Sequence, residues 1–226
     1  YHTLINPSVY MDVDGRYRGL DQNTHQADGF TNYTVFSLWD TYRAEHPFLM
    51  LMKPEQARDM AMSMIRHQQQ SVHGLLPIWS HMANDNWCMS GYHATSVLAD
   101  AIAKGADIDK DEALKAMVTT SKVAYLDGIG EYMERGYVPF DVSSTAASTT
   151  LEYCYDDWTI YQTALQAGND VIAQDDVLDM ALMLERKEPA VQQRIDQLEL
   201  YSKQKRTRTK KETPADPPGC LCKDCK

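Results

Sequence analysis

Apolar side chains recur at helical spacing in one segment of the chain with particular regularity. The positions i, i+3, i+4, i+7 and i+8 of this segment form one apolar helix face: Ala57, Met60, Ala61, Met64 and Ile65. Pro54 precedes them, and proline suits the first turn of a helix, where its missing N–H has no partner to lose. The pattern therefore predicts a helix that begins at Pro54.

Other segments show similar but shorter patterns. A second helix is predicted after Asp109, which forms a capping pair with Glu112, and its apolar face continues until Gly128 and Gly130. Weaker helical patterns that stop before proline or glycine cover residues 33–44, 92–104 and 150–167. Residues 177–201 are predicted to form one more helix or two, interrupted at Pro189. No segment shows clear strand alternation, and the first thirty residues are interpreted as ordered loop. The chain is therefore predicted to be all-α, an array of helical hairpins.

The composition adds size and class to this picture. The chain has 226 residues, of which 43% are hydrophobic, enough for the core of one large domain. The sequence contains no run of about 18 apolar residues, so no membrane span is predicted. The first residue is Tyr1, and no signal-peptide pattern follows it, so the chain is interpreted as a fragment.

The net charge of −10 is unevenly distributed. Residues 203–226 hold eight basic and three acidic side chains, which leaves 14 basic against 29 acidic side chains in residues 1–202. The strong negative charge of residues 1–202 argues against nucleic acid as the main ligand and favours neutral substrates or bound cations. The basic tail is predicted to be disordered, and its three cysteines have a spacing that does not match a zinc site.

Acidic and aromatic residues are concentrated in two passages, "ANDNWCMSGYHA" at 83–94 and "TLEYCYDDWTIY" at 150–161. Asp85 falls in a loop before a helix, whereas Asp156 and Asp157 lie inside one. A loop acid that faces a helix acid across a pocket could protonate a leaving oxygen and deprotonate a water, as glycoside hydrolysis requires. The neighbouring tryptophans, including Trp87, could cover the apolar faces of sugars.

The same residues allow other interpretations. Adjacent carboxylates also suit Ca²⁺, or Asp85 could serve only as a turn and helix cap and the Asp pair as a solvated helix face. His93 is more often a packed side chain than a catalytic one. Asp40 and Arg43, at i and i+3 of a helix, could form an ion pair or clamp a hydroxyl group.

An ordered series of segments resembles the catalytic domain of glycoside hydrolase family 92, the exo-acting α-mannosidases. These segments are, in order, "DVDGRYRGLD", "GFTNYTVFSLWDTYRAEHP", "GLLPIW", "NDNWCMSGYHA", "LADAIAKG", "GYVPFD" and "TLEYCYDDW". The resemblance runs from about residue 1 to residue 168. It implies a calcium-dependent, inverting exo-α-mannosidase with mannose-containing glycans as substrates, in which an N-terminal β-sandwich precedes an (α/α)6 barrel.

The resemblance also assigns roles to the acids. Asp85 stands where the family usually has Glu in an Asn-Glu-Thr stretch, so it is the expected general acid, although its side chain is one methylene shorter. Asp156 and Asp157 match the "YDDW" stretch that is expected to hold the general base, and the sequence does not distinguish between them. Glu152 matches the Glu of the "LEY" stretch and is a candidate calcium ligand.

Four further residues are expected to bind the sugar: Asp40, Arg43, Trp87 and His93. By this interpretation residues 1–172 are part of a catalytic barrel, 173–202 a helical segment that does not match the family, and 203–226 a disordered tail. The remaining barrel helices and the β-sandwich would belong to the full-length protein. The residues alone do not indicate its location, and the family resemblance favours a secreted, periplasmic or cell-surface protein. The alternatives are a non-catalytic carbohydrate-binding remnant and a helical interaction scaffold.

Overall fold

The structure, a computed structural model, describes residues 4–169, which belong to one compact unit. The predicted helical segment at 177–201, the predicted disordered tail and its cysteines lie outside the described residues. Within the described range the helices are Leu38–Thr41 (α1), Glu45–Met52 (α2), Pro54–Gln70 (α3), Ala94–Ala103 (α4), Lys110–Ser121 (α5), Ile129–Arg135 (α6) and Ala146–Ala167 (α7).

Short strands accompany these helices in the same range. They are Ser8–Val9 (β1), Arg16–Arg18 (β2), Thr24–Gln26 (β3), Tyr33–Thr34 (β4), Phe36–Ser37 (β5) and Trp79–Ser80 (β6). They form three antiparallel pairs, β1 with β4, β2 with β3 and β5 with β6. The described part of the chain is therefore mostly helical, but the prediction of an all-α chain missed these ladders.

The helix that begins at Pro54 is confirmed. Pro54 occupies its first turn, and Ala57, Met60, Ala61, Met64 and Ile65 are all buried. Each fully buried Met or Ile contributes about 1.5–3 kcal/mol relative to an exposed one. This apolar face is therefore the main reason that α3 forms where it does.

The capping prediction for α5 is confirmed as well. The Asp109 carboxylate accepts the backbone N–H groups of Asp111 and Glu112, two donors that the helix itself leaves without partners. The Glu112 side chain does not close the capping pair. It accepts a hydrogen bond from Arg66 Nη1 at 2.8 Å, so it joins α5 to α3.

The core lies between the longer helices. Helix α7 packs against α4 and α5, and α3 packs against α2, α4 and α5. Leu98 of α4, Met117 of α5 and Ala164 of α7 are almost completely buried in this core. The helices predicted at 92–104 and 150–167 are thus present as α4 and α7, which place the two acid-rich passages side by side.

The helix predicted at 33–44 is wrong over most of its length. Residues 33–37 form β4 and β5, and Val35 between them has a φ of +67°, which a right-handed helix excludes. The strand partners are Ser8–Val9 and Trp79–Ser80, both remote in sequence. Only the one-turn helix α1 remains of the predicted element.

Two residues that often end helices do not do so here. Pro47, the expected stop after residues 33–44, lies in the first turn of α2, where a proline breaks no helical hydrogen bond. Gly128, taken as an end, instead precedes α6 and adopts the left-handed conformation with a φ of +78°. Among the helices that the structure describes, none is both long enough and apolar enough to cross a membrane.

Candidate functional site

Three side chains from the start of the helical region converge on Glu152 of α7. Trp39 Nε1 and Arg43 Nη2 both donate to Glu152 Oε1 at 2.9 Å, and the Tyr42 hydroxyl donates to Oε2 at 3.1 Å. Trp39, Tyr42 and Arg43 are spaced i, i+3 and i+4, so a single helical turn presents them on one face. We call these four residues the Glu152 cluster.

Arg43 is the member of the Glu152 cluster that solvent reaches most readily. Its side chain is 49% exposed, whereas that of Glu152 is 14% exposed. The guanidinium also lies over the Tyr42 ring, 4.4 Å from the centroid, which fixes its orientation. The Arg43 guanidinium is therefore held in a fixed orientation, and some of its N–H groups remain available to bind a ligand.

Asp40 lies on the same turn but does not pair with Arg43. Its carboxylate accepts a hydrogen bond from the Ser37 hydroxyl and is exposed, while Arg43 pairs with Glu152 instead. The i, i+3 ion pair considered from the sequence is absent from this part of the structure. Asp40 is thus an acceptor at the surface beside the cation of Arg43.

His93 lies beneath the Glu152 cluster rather than at its surface. Its ring stacks on Tyr42 with centroids 4.1 Å apart, and its Nδ1 bonds to Asp156 Oδ1 at 2.8 Å. Its Nε2 lies 3.4 Å from Glu152 Oε2 but makes no hydrogen bond there. His93 is 1% exposed, so its ring supports the cluster from below.

Asp156 is enclosed by the start of α4. It accepts the backbone N–H of Tyr92 at 2.7 Å in addition to the His93 ring, and it is fully buried. Burial raises the pKa of its carboxyl group, and the neighbouring imidazole opposes that shift. Asp156 therefore ties α7 to the residues that carry His93.

Asp157 is held by two tyrosines. The hydroxyl groups of Tyr92 and Tyr132 donate to its two oxygens at 2.7 and 2.9 Å, and it too is fully buried. Burial raises the pKa of Asp157 to about 7, although the two tyrosine hydrogen bonds favour the ionised form. This carboxyl group joins α7 to α6 and to the segment before α4.

Asp85 organises the loop around it. Its carboxylate accepts the backbone N–H groups of Ile78, Trp79 and Trp87 at 2.9, 3.1 and 2.9 Å, and its side chain is 2% exposed. Burial raises the pKa of the carboxyl group, and the three backbone hydrogen bonds oppose that shift. His67 Nε2 is 3.5 Å away, and burial lowers the pKa of that imidazole to about 3, so it gives Asp85 no cationic partner.

The arrangement differs from the one expected for a catalytic pair. A general acid or base must come within hydrogen-bond reach of the atom it serves. The carboxyl groups of Asp85, Asp156 and Asp157 are instead enclosed by protein, each with its oxygens occupied by internal donors.

Trp87 is the exposed ring of this loop. It is 38% exposed, has a φ of +53°, and meets the His73 ring edge-on at 4.8 Å. The adjacent Cys88 is exposed, whereas Cys154 is buried. A left-handed backbone at a tryptophan is strained, so the hydrogen bond from Trp87 N to Asp85 helps to hold it.

Glu152 does not fit the calcium role expected for it. Three donors, one of them the guanidinium of Arg43, already occupy its oxygens, and a second cation at that distance would be repelled. Within the described residues, no group of three or more His, Cys, Asp or Glu side chains could hold a metal ion. The carboxylate is better described as the counter-ion of Arg43.

The sequence interpretation missed the tyrosines of the site. Tyr42 joins His93 to Glu152, and Tyr92 and Tyr132 hold Asp157. A signal existed for Tyr42, since it lies at i+3 from Trp39 on the same predicted helix. None existed for Tyr132, which is 25 residues from its partner in sequence.

The fold and site thus define a helical domain in which an exposed arginine and aromatic rings rest on a buried layer of carboxylates. The sequence profile of the glycosyl hydrolase family 92 catalytic domain matches residues 1–180, so the chain belongs to this family. The match continues past residue 168, where the resemblance was expected to end, and into the segment expected not to match. The comparison with curated proteins found no match.

Solved structures of the family are similar to the described fold. A family GH92 α-mannosidase from Bacteroides thetaiotaomicron, in complex with mannoimidazole, is 49% identical, with a TM-score of 0.77 over 80% of this chain. An inverting mannosidase of the family from Bacteroides thetaiotaomicron VPI-5482 is 34% identical, with a TM-score of 0.70 over 80% of this chain. The chain spans 24% and 25% of the lengths of these two relatives.

Proposed function

We propose that the chain is part of a calcium-dependent, inverting exo-α-mannosidase that hydrolyses α-mannosidic bonds in glycans. The observation that carries the proposal is the 49% identity to a family α-mannosidase that was solved with mannoimidazole. The Glu152 cluster supports it, because a fixed guanidinium beside aromatic rings suits the hydroxyl groups and apolar faces of a sugar.

The exposed polar groups of α1 and of the turn that follows it are proposed to hold the sugar. Arg43 offers donors and Asp40 offers acceptors from the same helical turn, so the two together can bind neighbouring hydroxyl groups. The exposed ring of Trp87 is proposed to cover an apolar sugar face. Glu152 keeps Arg43 in place and balances its charge.

The buried acids are proposed to position these groups rather than to exchange protons with substrate. Asp156 holds His93, His93 stacks on Tyr42, and Tyr42 contributes to the Glu152 cluster, so a change at Asp156 is transmitted to Arg43. Asp85 accepts a hydrogen bond from the backbone N–H of Trp87 and so positions the Trp87 ring. The leaving-group assay below tests whether any of them also acts as the acid or base that inversion requires.

The calcium requirement rests on the family alone. No cluster of metal-binding side chains occurs within residues 4–169, and Glu152 is already occupied by Arg43. The proposed ion is therefore assigned to oxygens outside the Glu152 cluster.

The full-length gene product tests this function. Incubated with an α-linked mannobiose, it is expected to release mannose, and proton NMR is expected to show the β-anomer first, since inversion reverses the configuration. Chelation is expected to abolish release and added Ca²⁺ to restore it. Absence of hydrolysis, initial release of the α-anomer, or full activity after calcium removal would each contradict the corresponding part of the proposal.

The dependence of the hydrolysis rate on the leaving group distinguishes a residue that positions the site from one that acts as general acid. In the complete enzyme, Asp85→Asn and Asp156→Asn are expected to slow mannobiose and an activated aryl mannoside equally, by up to about 100-fold, because both disturb geometry. A general acid is needed only for the poor leaving group, so its loss spares the aryl substrate. Selective loss on mannobiose would restore the acid role to the substituted residue.

A second function has one observation in its favour. The three carboxyl groups expected to be catalytic are enclosed, as a non-catalytic carbohydrate-binding domain would permit. Calorimetry with methyl α-mannoside, run beside the hydrolysis assay, distinguishes the two. Binding without turnover by the full-length protein would favour the binding domain over the enzyme.

A further inference from the structure

The imidazole of His73 lies where three loops of the described chain meet. These loops follow α3, β6 and α5 and carry His73, Trp87 and Tyr125, respectively. The Trp87 ring meets the His73 ring edge-on, with centroids 4.8 Å apart and planes at 86°. The centroid of the Tyr125 ring lies 5.8 Å from that of His73, with planes at 62°. His73 therefore contacts both of the other loops through its side chain.

Hydrogen bonds hold His73 and its loop in place. His73 Nδ1 and the Tyr125 hydroxyl share a hydrogen bond at 2.8 Å, which selects one orientation of the imidazole. The backbone N–H of His73 donates to the Ser71 hydroxyl at 3.3 Å. The Gln68 side-chain amide donates to the carbonyl of the next residue, Gly74, at 3.0 Å. The imidazole is therefore fixed although His73 lies at the surface.

The backbone of Trp87 and its ring are held by different residues. The Asp85 carboxylate binds the backbone N–H of Trp87, which fixes the main chain but not the torsion angles of the side chain. The indole is 38% exposed, so the core does not enclose it. Edge-on contacts at this distance are favourable between aromatic rings, so His73 favours one orientation of the indole.

The edge-on contact keeps the indole able to bind a sugar. In such a pair the partner ring covers at most one face of the indole, so His73 leaves at least one face uncovered. A ring that already has its bound orientation loses less entropy on binding than a ring that rotates freely. His73 and Tyr125 thus preorganise the surface that Trp87 offers to a ligand.

We propose that His73 is a positioning residue, which sets the orientation of the Trp87 indole for sugar binding and is itself held by the Tyr125 hydroxyl. The inference rests on the proposed function, because it takes Trp87 to cover a sugar face. The contacts define an order of action. A change at Tyr125 acts through His73, and a change at His73 acts through Trp87, so neither change affects sugar binding once the indole is removed.

Kinetics of the complete enzyme on α-mannobiose test this order. His73→Ala is expected to raise KM about 3- to 10-fold and to leave kcat within about twofold, because stacking on a sugar contributes equally to the ground and transition states. Tyr125→Phe, which keeps the ring and removes the hydroxyl, is expected to raise KM by about twofold to threefold. In a Trp87→Ala background, His73→Ala is expected to change KM by less than about twofold. Val72 precedes His73 and is 82% exposed, and Val72→Ala is the control that is expected to change neither constant.

Near-ultraviolet circular dichroism reports the orientation of the ring independently of activity. A tryptophan held in a fixed environment gives bands in this region, and the bands weaken when the ring becomes mobile. His73→Ala is expected to weaken the tryptophan bands of the full-length protein, and His73→Phe, which keeps a ring beside the indole, is expected to weaken them less. The difference that His73→Ala causes is expected to disappear in a Trp87→Phe background, which would assign it to the Trp87 indole.

A spectrum of His73→Ala that matches the wild type, or a spectral difference that persists without Trp87, would overturn the proposal. An increase in KM that is equally large in the Trp87→Ala background would overturn it as well. Thermal melts show whether His73→Ala unfolds the protein, in which case Tyr125→Phe, which removes a single exposed hydroxyl group, takes its place in both measurements.

Calorimetry separates failure of the positioning role from failure of the proposed function. If the full-length protein binds α-mannobiose without hydrolysing it, the proposed function is wrong, and a Kd that His73→Ala raises about 3- to 10-fold supports the positioning role. If hydrolysis occurs but His73→Ala leaves KM unchanged, the positioning role is wrong and the proposed function stands.

Discussion

The pH dependence of stability offers a quantitative test of the buried Asp157. Burial raises the pKa of its carboxyl group from a reference value of 3.8 to about 7 in the folded state. Between these two values the native protein retains a proton that the unfolded chain has released. The free energy of unfolding therefore falls as the pH rises from about 4 to about 7, and the loss is complete above the folded pKa.

The structure sets the size of this effect. A shift of about 3 pKa units corresponds to ~4 kcal/mol at 1.36 kcal/mol per unit. Solvent does not screen the interactions of the Asp157 carboxyl group, because this residue is fully buried. Asn has nearly the shape of a protonated Asp, and its amide can accept a hydrogen bond from one tyrosine hydroxyl and donate to the other. Asp157→Asn should therefore remove the contribution of Asp157 to the pH dependence while it preserves the packing.

Urea unfolding of the wild type and of Asp157→Asn, followed by circular dichroism at pH 4, 5, 6, 7 and 8, measures the difference. The two free energies of unfolding are expected to agree within about 1 kcal/mol at pH 4. At pH 8 the variant is expected to be more stable by ~4 kcal/mol, an increase in Tm of about 10 °C. Asp141→Asn removes one charge from an exposed position and serves as the control.

A difference between Asp157→Asn and the wild type that stays constant from pH 4 to pH 8 would refute the reasoning. The same rise in the Asp141→Asn variant would attribute the effect to net charge and not to the buried site. Either result would also mean that the pKa of Asp157, whose carboxyl group binds Tyr92 and Tyr132, is not raised.

Three further substitutions test the site and the core by urea unfolding. Asp85→Ala is expected to lower the free energy of unfolding by about 3 kcal/mol, because three backbone N–H groups lose their acceptor. Gly91→Ala is expected to cost about 1–3 kcal/mol, since its Cβ would lie 2.4 Å from His93 Nε2 at a backbone φ of +87°. Met64→Ala, at a fully buried position of α3, is expected to cost about 2–5 kcal/mol.

Each of these substitutions has a matched control. Asp85→Asn keeps one acceptor oxygen and should lose less than the alanine variant. Gly105→Ala shares a positive φ of +82° but has nothing within 4 Å of the added Cβ, so an equal loss there would mean that the contact with His93 is unimportant. Met52 is 61% exposed, and a loss at Met52→Ala as large as that at Met64→Ala would contradict the assignment of the core.

The sequence by itself determined the features that depend on neighbours along the chain. The apolar spacing from Ala57 to Ile65 set α3, Asp109 capped α5, and the spacing of Trp39 and Arg43 placed both on one helix face. Each of these follows from a period or an offset of a few residues, which a linear sequence displays directly. The same is true of the ordered segments that identified the family.

Tertiary structure alone decided what surrounds each acid. Asp156 meets His93 at a sequence separation of 63 positions, and Asp157 meets Tyr92 at a separation of 65. No local pattern records such distances, so the sequence could show that acids were present but not that protein would enclose them. The strands at 33–37 were missed for the same reason, because their hydrogen-bond partners lie in distant segments. Burial and pairing are properties of the packed chain, and they decide whether a carboxyl group reaches a substrate or supports the residues that do.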